Sequence, residues 1–271
     1  MSAPSIQGRP RRESSAIHPS AVVSPSAQIG SDCYIGPYVI VGDEAALGER
    51  VRIDAHCVID GRTRLGDDTH VFPFVSIGLP PQDLKFAGES TETEIGRRNR
   101  IREFVTIHRG TRGGGGLTKT GDDCFIMAQA HIAHDCTLGN NVIMANAATL
   151  AGHVVVEDGA NIGAYSGVHQ FCRVGREAYV GGYSVVVKDA LPFALTVGNH
   201  AKCYGLNKVG VRRRGYSSET IAALHSAFHL LLSSKLNTTQ AIERIRSEIR
   251  NTPEVDELVQ FVETSKRGVV K

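Results

Sequence analysis

Titratable side chains crowd one stretch of this 271-residue chain. His131, His134 and Asp135 stand together, and His153 and the pair His169–Gln170 follow. A histidine beside a carboxylate is the arrangement of a general base whose ring is oriented, or whose protonated form is stabilised, by its neighbour. Adding 18 to His134 gives Gly152, and adding 18 again gives Gln170. If that interval aligns them, the three have a joint chemical reading. The His takes a proton, the Gly opens its backbone N–H to a developing oxyanion, and the Gln binds a polar substituent of a substrate. His131, His153 and His169 then stand close by, and all of these residues, with Asp135, are expected at outward positions. Two other readings compete: solvated surface histidines, and three histidines on neighbouring turns or subunits that hold zinc.

The interval comes from the elements that must carry these residues. Ile126, Ile132, Leu138, Met144, Leu150, Val156, Ile162, Val168, Val174, Val180 and Val186 recur every six residues. The same phase starts at Ile17, breaks over 78–94 and again over 109–119. A period of six fits neither a helix nor a half-buried strand. It fits a coil of three flat sides, 18 residues per turn, with the aliphatics stacked inside. Glycine often follows the aliphatic, as a tight corner prefers. The position four after it is small: Ala130, Cys136, Ala148 and Cys172 are examples. At about 4.8 Å per coil, eight coils give a prism on the order of 40 Å long. Cys33, Cys57, Cys124, Cys136 and Cys172 all occupy the small slot. They read as small hydrophobes rather than disulfide partners or metal ligands.

Composition agrees: 29 glycines, no tryptophan and 41% hydrophobic residues suit a repetitive β structure. A net charge of +2 gives no argument for nucleic acid. No apolar run is long enough to be a transmembrane segment. Residues 1–14 lack the apolar core of a secretory signal and read as a mobile polar tail, so a cytoplasmic protein is the default. The β domain is expected over 15–191. A connector and small helical domain are expected over 192–271, with an irregular, basic-ended connector to Arg214. Ser217 or Ser218, Thr238 and Thr252 before Pro253 are the expected helix caps. The Gly113–Gly116 run lacks the frame of a phosphate loop and reads as a flexible loop.

The ordered motifs are specific. Gln82-Asp-Leu-Lys85-Phe-Ala-Gly88, Ile101 to Gly110, His131-Ile-Ala-His134-Asp-Cys136, Leu150-Ala-Gly-His153, Val168-His-Gln-Phe-Cys172, Gly198-Asn-His200 and Arg213-Arg214-Gly215-Tyr216 resemble the bacterial UDP-N-acetylglucosamine O-acyltransferases, hexapeptide-repeat enzymes of lipid A synthesis. The resemblance runs from about Ile17 to the C-terminus. It implies a left-handed parallel β-helix, a hand opposite to the usual crossover rule. It implies transfer of a 3-hydroxyacyl group from acyl carrier protein to the 3-hydroxyl of UDP-N-acetylglucosamine. No cofactor is implied beyond the carrier's own phosphopantetheine, and no metal.

By the same resemblance His134 is the general base and Gly152 the oxyanion donor, with Asp135 beside them. Gln82, Asp83 and Lys85 belong to the acceptor site, and His131, His153, His169 and Gln170 line the cleft. Asn207, Arg213 and Arg214 match positions that contact the nucleotide, where planar guanidinium groups suit phosphate. Gly182 and His200 match the end of the acyl channel, and a glycine there points to a longer acyl chain. Val209 departs from an acidic residue seen in family members. The family forms homotrimers with sites between subunits, across which the loop bearing Lys85 is expected to reach. Two alternatives remain: a related acyltransferase with another sugar-nucleotide acceptor, and a zinc enzyme like the γ-class carbonic anhydrases of similar fold.

Overall fold

The computed structural model describes residues 15–271, so the polar tail expected over 1–14 lies outside the described residues. Short rungs, most of two residues, form three sheets of 11, 9 and 8 strands, parallel except for the last strand of the first, that wrap into a left-handed parallel β-helix. Each rung pairs with the rung one coil on. His131–Ile132 lies beside Thr149–Leu150, and that beside Gly167–Val168. We name the three faces by rungs of one coil: face A carries Phe125–Ile126, face B His131–Ile132 and face C Thr137–Leu138. The repeat aliphatics point inward, and Ile126, Ile132, Met144, Leu150 and Ile162 have no exposure.

The small slot is filled as the period requires. Cys33, Cys57, Cys124, Cys136 and Cys172 are buried and unbridged. Several of these thiols donate to a carbonyl of the next coil, as from Cys136 Sγ to Ala151 O at 3.1 Å. Burial pushes the Cys136 thiol up to about 12, so it stays protonated and unreactive.

The glycines that follow the aliphatics have a different cause from the one expected. The corners lie one and two residues further on, and their left-handed residue is usually not glycine: Asp135 has φ 60° and His153 φ 63°. The glycines serve coil-to-coil approach. A Cβ on Gly66 would sit 2.6 Å from the carbonyl carbon of Gly96, and one on Gly163 would sit 2.5 Å from Gly182 N.

Both breaks in the period are insertions between intact coils. Ser76 pairs with Thr106, an offset of 30 residues, and Thr106 with His131, an offset of 25. The flanking rungs on face C lengthen to four residues, Arg62–Leu65, Glu92–Ile95 and Leu117–Thr120. The first loop therefore spans 80–91 and the second 109–116.

Beyond the prism the connector is more regular than expected. Strand Ala194–Val197 extends face A, and Lys202–Leu206 pairs with it antiparallel. Helix α1, Lys208–Arg213, follows, capped by the Asn207 side chain, which accepts from Gly210 N–H at 3.1 Å. Helices α2 (Ser218–Leu232), α3 (Thr238–Glu248) and α4 (Pro253–Thr264) pack Leu224, Phe228, Ile245, Leu258 and Phe261 into a second core. Ser217 caps α2. Asn237 rather than Thr238 caps α3, because Gln240 completes a reciprocal capping box with it. Thr252 precedes α4 without a side-chain cap bond, leaving Pro253 to set the first turn.

Replacing Gly66 by Ala should therefore destabilise the chain by about 1–3 kcal/mol, because neither backbone can yield easily. Gly167→Ala is the control, since a Cβ there meets nothing within 4 Å. Urea unfolding of the two variants should show a lowered midpoint for the first alone.

Candidate active site

His134 and Asp135 occupy the corner between faces B and C. The Asp135 side chain is fully buried, so it does not share the outward setting expected of the whole cluster. The second loop covers it. Thr111 N–H donates to Asp135 Oδ1 at 2.9 Å, and Thr111 Oγ1 donates to Oδ2 at 2.6 Å. The Asp135 N–H donates to Thr118 Oγ1 at 2.7 Å. Oδ2 also meets His134 Nδ1 at 2.8 Å. An ionised carboxylate only accepts, so Nδ1 carries the imidazole proton and Nε2 keeps its lone pair. The His134 side chain is 16% exposed, enough to reach a ligand in the cleft.

The 18-residue register holds the rest of the column. Gly152 lies one coil beyond His134, and a Cβ there would sit 2.5 Å from the ring's Cε1 and 2.7 Å from Nε2. The glycine thus makes room for the imidazole as well as leaving its amide open. Its carbonyl accepts from Phe171 N–H, while its own N–H has no hydrogen-bond partner among the described residues. That open amide belongs to the corner, since the His134 and Gln170 amides are also without one. His153 meets the His134 ring edge to face at 5.0 Å and stacks on Phe171 at 4.3 Å. Gln170 and His169 are exposed on the following corner.

His131 projects from face B and shares a hydrogen with Thr106 Oγ1 at 2.7 Å. Behind it stands His108, which the sequence motif contained but which had no assigned role. It is 6% exposed and packs edge-on against His131 at 5.1 Å. Its Nδ1 is buried without a partner. The signal available in sequence was its place immediately after the aliphatic Ile107, where many coils carry glycine. Burial, and then the neighbouring His131 and His134, bring His108 down to about 4. Burial lowers His131 and His153 as well, and in His153 the charge of Asp135, and after it that of Asp83 on the first loop, opposes the shift. Gln82 and Lys85 are exposed on that loop.

His134, Asp135 and His153 place ligand atoms within 4.8 Å of one another, the spacing of a metal site. The Asp135 oxygens already accept from Thr111 N–H, Thr111 Oγ1 and His134 Nδ1. This donor set is committed to holding a ring, and it differs from the three-histidine set that the zinc reading requires.

The remaining predicted residues lie elsewhere. Asn207, Arg213 and Arg214 line a cleft of about 610 Å³ on face A, with Asn161, Glu177 and Tyr179. Arg214 Nε pairs with Glu177 at 3.0 Å, and burial still holds the Glu177 carboxyl above its usual range. Face A is opposite the corner between B and C, so one chain does not bring these arginines to His134. Gly182 and His200 are exposed near the last rung of face B, where Val185 N–H donates to Gly198 O. A Cβ on Gly182 would approach only Ala164, at 3.3 Å from its oxygen.

The three depressed histidines set a pH dependence of stability. Each binds its proton near 6.5 when unfolded and only at lower pH when folded. The unfolded state therefore holds more protons between about 6.5 and 4, and stability falls as pH drops through that window. His108 should account for a loss of about 2–3 kcal/mol. Urea midpoints measured from pH 7.5 to 4.5 should show a flatter slope in His108→Gln than in the parent chain.

Comparison with known proteins agrees with this geometry. A family model described as UDP-N-acetylglucosamine O-acyltransferase, domain 2, matches residues 189–270, and the bacterial transferase hexapeptide model matches 118–152. The crystal structure of LpxA from Acinetobacter baumannii is 42% identical, covering 94% of this chain and 99% of that one, with a TM-score of 0.92. UDP-N-acetylglucosamine acyltransferase from Campylobacter jejuni is 38% identical over 94% and 100% of the two chains, with a TM-score of 0.89. The enzyme of the same description from Bacteroides fragilis is 37% identical over 94% and 100%, with a TM-score of 0.92. Identity at this level, over nearly the whole of both chains, means that the chain belongs to the UDP-N-acetylglucosamine O-acyltransferase family.

Proposed function

We propose that the protein transfers a 3-hydroxyacyl group from the phosphopantetheine thioester of acyl carrier protein to the 3-hydroxyl of UDP-N-acetylglucosamine, the first step of lipid A biosynthesis. The observation that carries the mechanism is the Asp135–His134 bond, which engages Nδ1 and leaves Nε2, beside Gly152, free to accept a proton. Nε2 takes the proton of the sugar hydroxyl as its oxygen attacks the thioester carbonyl carbon. The Gly152 N–H stabilises the tetrahedral oxyanion. Collapse breaks the C–S bond, and the His134 imidazolium returns its proton to the departing thiolate. No acyl-enzyme is needed, in keeping with cysteines that are buried and held protonated.

The outward residues of face B support the acyl site. His131, Thr149, Gly167 and Val185 form one line on successive coils, roughly 14 Å long at the usual strand spacing. Gly182 and His200 stand at its far end, where the glycine leaves space for a longer chain. Gln82, Asp83 and Lys85 on the first loop, with His153, His169 and Gln170, would hold the sugar. Asn207, Arg213 and Arg214 would hold the nucleotide. Asn207 already caps α1, so its role there includes fixing the helix that presents the arginines.

Because those arginines lie opposite His134, a complete site needs a second copy, and a homotrimer with three equivalent clefts satisfies this. In this arrangement α1 of the neighbour would make the crossing, and the loop bearing Lys85 would reach across as well. The acyl donor serves as the only carried group, without a metal or further cofactor. No helix among the described residues is long and apolar enough to cross a membrane. A cytoplasmic setting, where acyl carrier protein and sugar nucleotide meet, fits the reaction.

Purified protein given 3-hydroxyacyl carrier protein and UDP-N-acetylglucosamine should form the 3-O-acyl product, and His134→Ala should lose about 10²–10⁴-fold in rate. Absence of transfer by the parent chain, or normal transfer by His134→Ala, would sink this reading. Shared sites predict rescue. Mixing His134→Ala and Arg213→Ala chains through dissociation and reassembly should restore about one quarter of parental activity, since that share of interfaces is intact. No recovery above the separate variants would mean that each site is built within one chain.

A further inference from the structure

Resting on that reading, we infer that Thr111 is a positioning residue for catalysis, and that the second loop exists in this fold to place it. The loop contributes no side chain to the cleft column itself. The contacts of Thr111 run inward, to the buried carboxylate beside His134. Thr111 supplies two of the three hydrogen bonds that Asp135 accepts, one from the backbone and one from the hydroxyl. The hydroxyl bond falls on Oδ2, the oxygen that also takes His134 Nδ1–H. Two donors converging on one oxygen, with the backbone bond on the other, leave the carboxylate no free rotation.

The loop around Thr111 is built to hold that pose. Gly114 and Gly116 N–H both donate to Thr111 O, at 3.0 and 2.8 Å. Gly114 lies directly over the carboxyl, where a Cβ would collide with Asp135 Cγ and both oxygens. Gly114 is thus the close-fitting member of the glycine run, since a Cβ on Gly113 or Gly115 would meet nothing within 4 Å. Glu89 on the first loop accepts from Arg112 N–H at 3.3 Å, which ties the two loops together. A carboxylate with no solvent contact has only these donors to satisfy it, so each is costly to remove.

The hydroxyl also competes with the imidazole for Oδ2. Without it, the charge on that oxygen falls more fully on Nδ1–H, and protonated His134 is held more strongly. The other groups facing His134 are His153 on the next corner, His131 on face B, His108 behind it, and Asp83 of the first loop, which acts on His153. All of these remain in place when Thr111 alone is changed.

Thr111→Val keeps the shape and the backbone N–H and removes only the hydroxyl, and Thr111→Ser keeps the hydroxyl and loses a methyl. The valine variant should lose about ten- to a hundredfold in kcat with KM for the sugar nucleotide changed by less than about threefold. The acid limb of its kcat/KM profile should move to higher pH. The serine variant should stay within about threefold of the parent chain. Equal impairment in both variants, with matching losses of melting temperature, would reduce Thr111 to a packing residue. Parental kinetics in Thr111→Val would overturn the inference outright. The titration of the His134 ring, followed by NMR with labelled histidine, needs no transfer reaction. A higher midpoint in Thr111→Val supports the Thr111 role even if the parent chain proves inactive toward the proposed substrates, and an unchanged midpoint refutes it.

Discussion

Coils that stack in register place every residue about 4.8 Å from the residue one turn away, and nearly every other feature follows from that spacing. It forces glycine where one coil's backbone approaches the next, as at Gly66 and Gly163. It lets one side chain finish the hydrogen bonding of the coil below. Asp67 accepts from Glu49 N–H, Asn140 from Asp122 N–H, and Asp158 from Asn140 N–H, each 18 residues on. Aromatic rings stack by the same rule, as in Tyr38, His56, Phe74 and Phe104, with successive centroids 5.0–5.1 Å apart. The active-site column is another use of this register. The Gly152 amide lies where it does because the core aliphatics Ile132 and Leu150 are paired.

Such regularity has a chemical cost. A perfect prism exposes its corner residues, and an exposed Asp135 would be solvated and free to turn. The second insertion removes that freedom. It leaves the coil after His108 and returns in the rung Leu117–Thr120, laying Thr111 and Gly114 over the carboxylate on the way. Burial without these donors would leave most of the carboxylate's lone pairs unsatisfied, with Nδ1–H as its one remaining partner. Loop and dyad therefore depend on one another. The corner supplies the base, and the interruption of the repeat supplies the environment in which its partner stays an acceptor.

The period of six was enough to read the core, the small cysteine slot and the alignment of His134, Gly152 and Gln170, because each depends only on residue type at a fixed interval. Reading Asp135 as outward failed because the repeat says nothing of what an insertion covers. His108 escaped notice for the same reason: its burial comes from contacts with His131 in the adjoining coil and from the loop it leads into. The corner assignment of the glycines was off by position. Their type signals both left-handed backbone and close approach, and only the geometry separates the two. The antiparallel strand Lys202–Leu206 and helix α1 carry no periodic pattern long enough to stand out. Asn237 displaced Thr238 as a cap because Gln240 sits three residues beyond it and answers its backbone N–H.

The proposed division of the site between face A and the opposite corner rests on the same solid geometry. Three faces give three corners, and each corner looks away from one face. A ligand that needs both the base at the B–C corner and the guanidinium groups beside face A is too far around the prism to be held by one chain. Lengthening a loop would bridge the gap only by sacrificing the rigidity that the dyad needs. Repeating the prism about an axis brings the far side of one copy to the near side of the next with no change to either. In the proposed trimer two rigid elements would define the cleft, and the closeness of their fit, rather than the motion of a lid, would set the distance from His134 to the arginines.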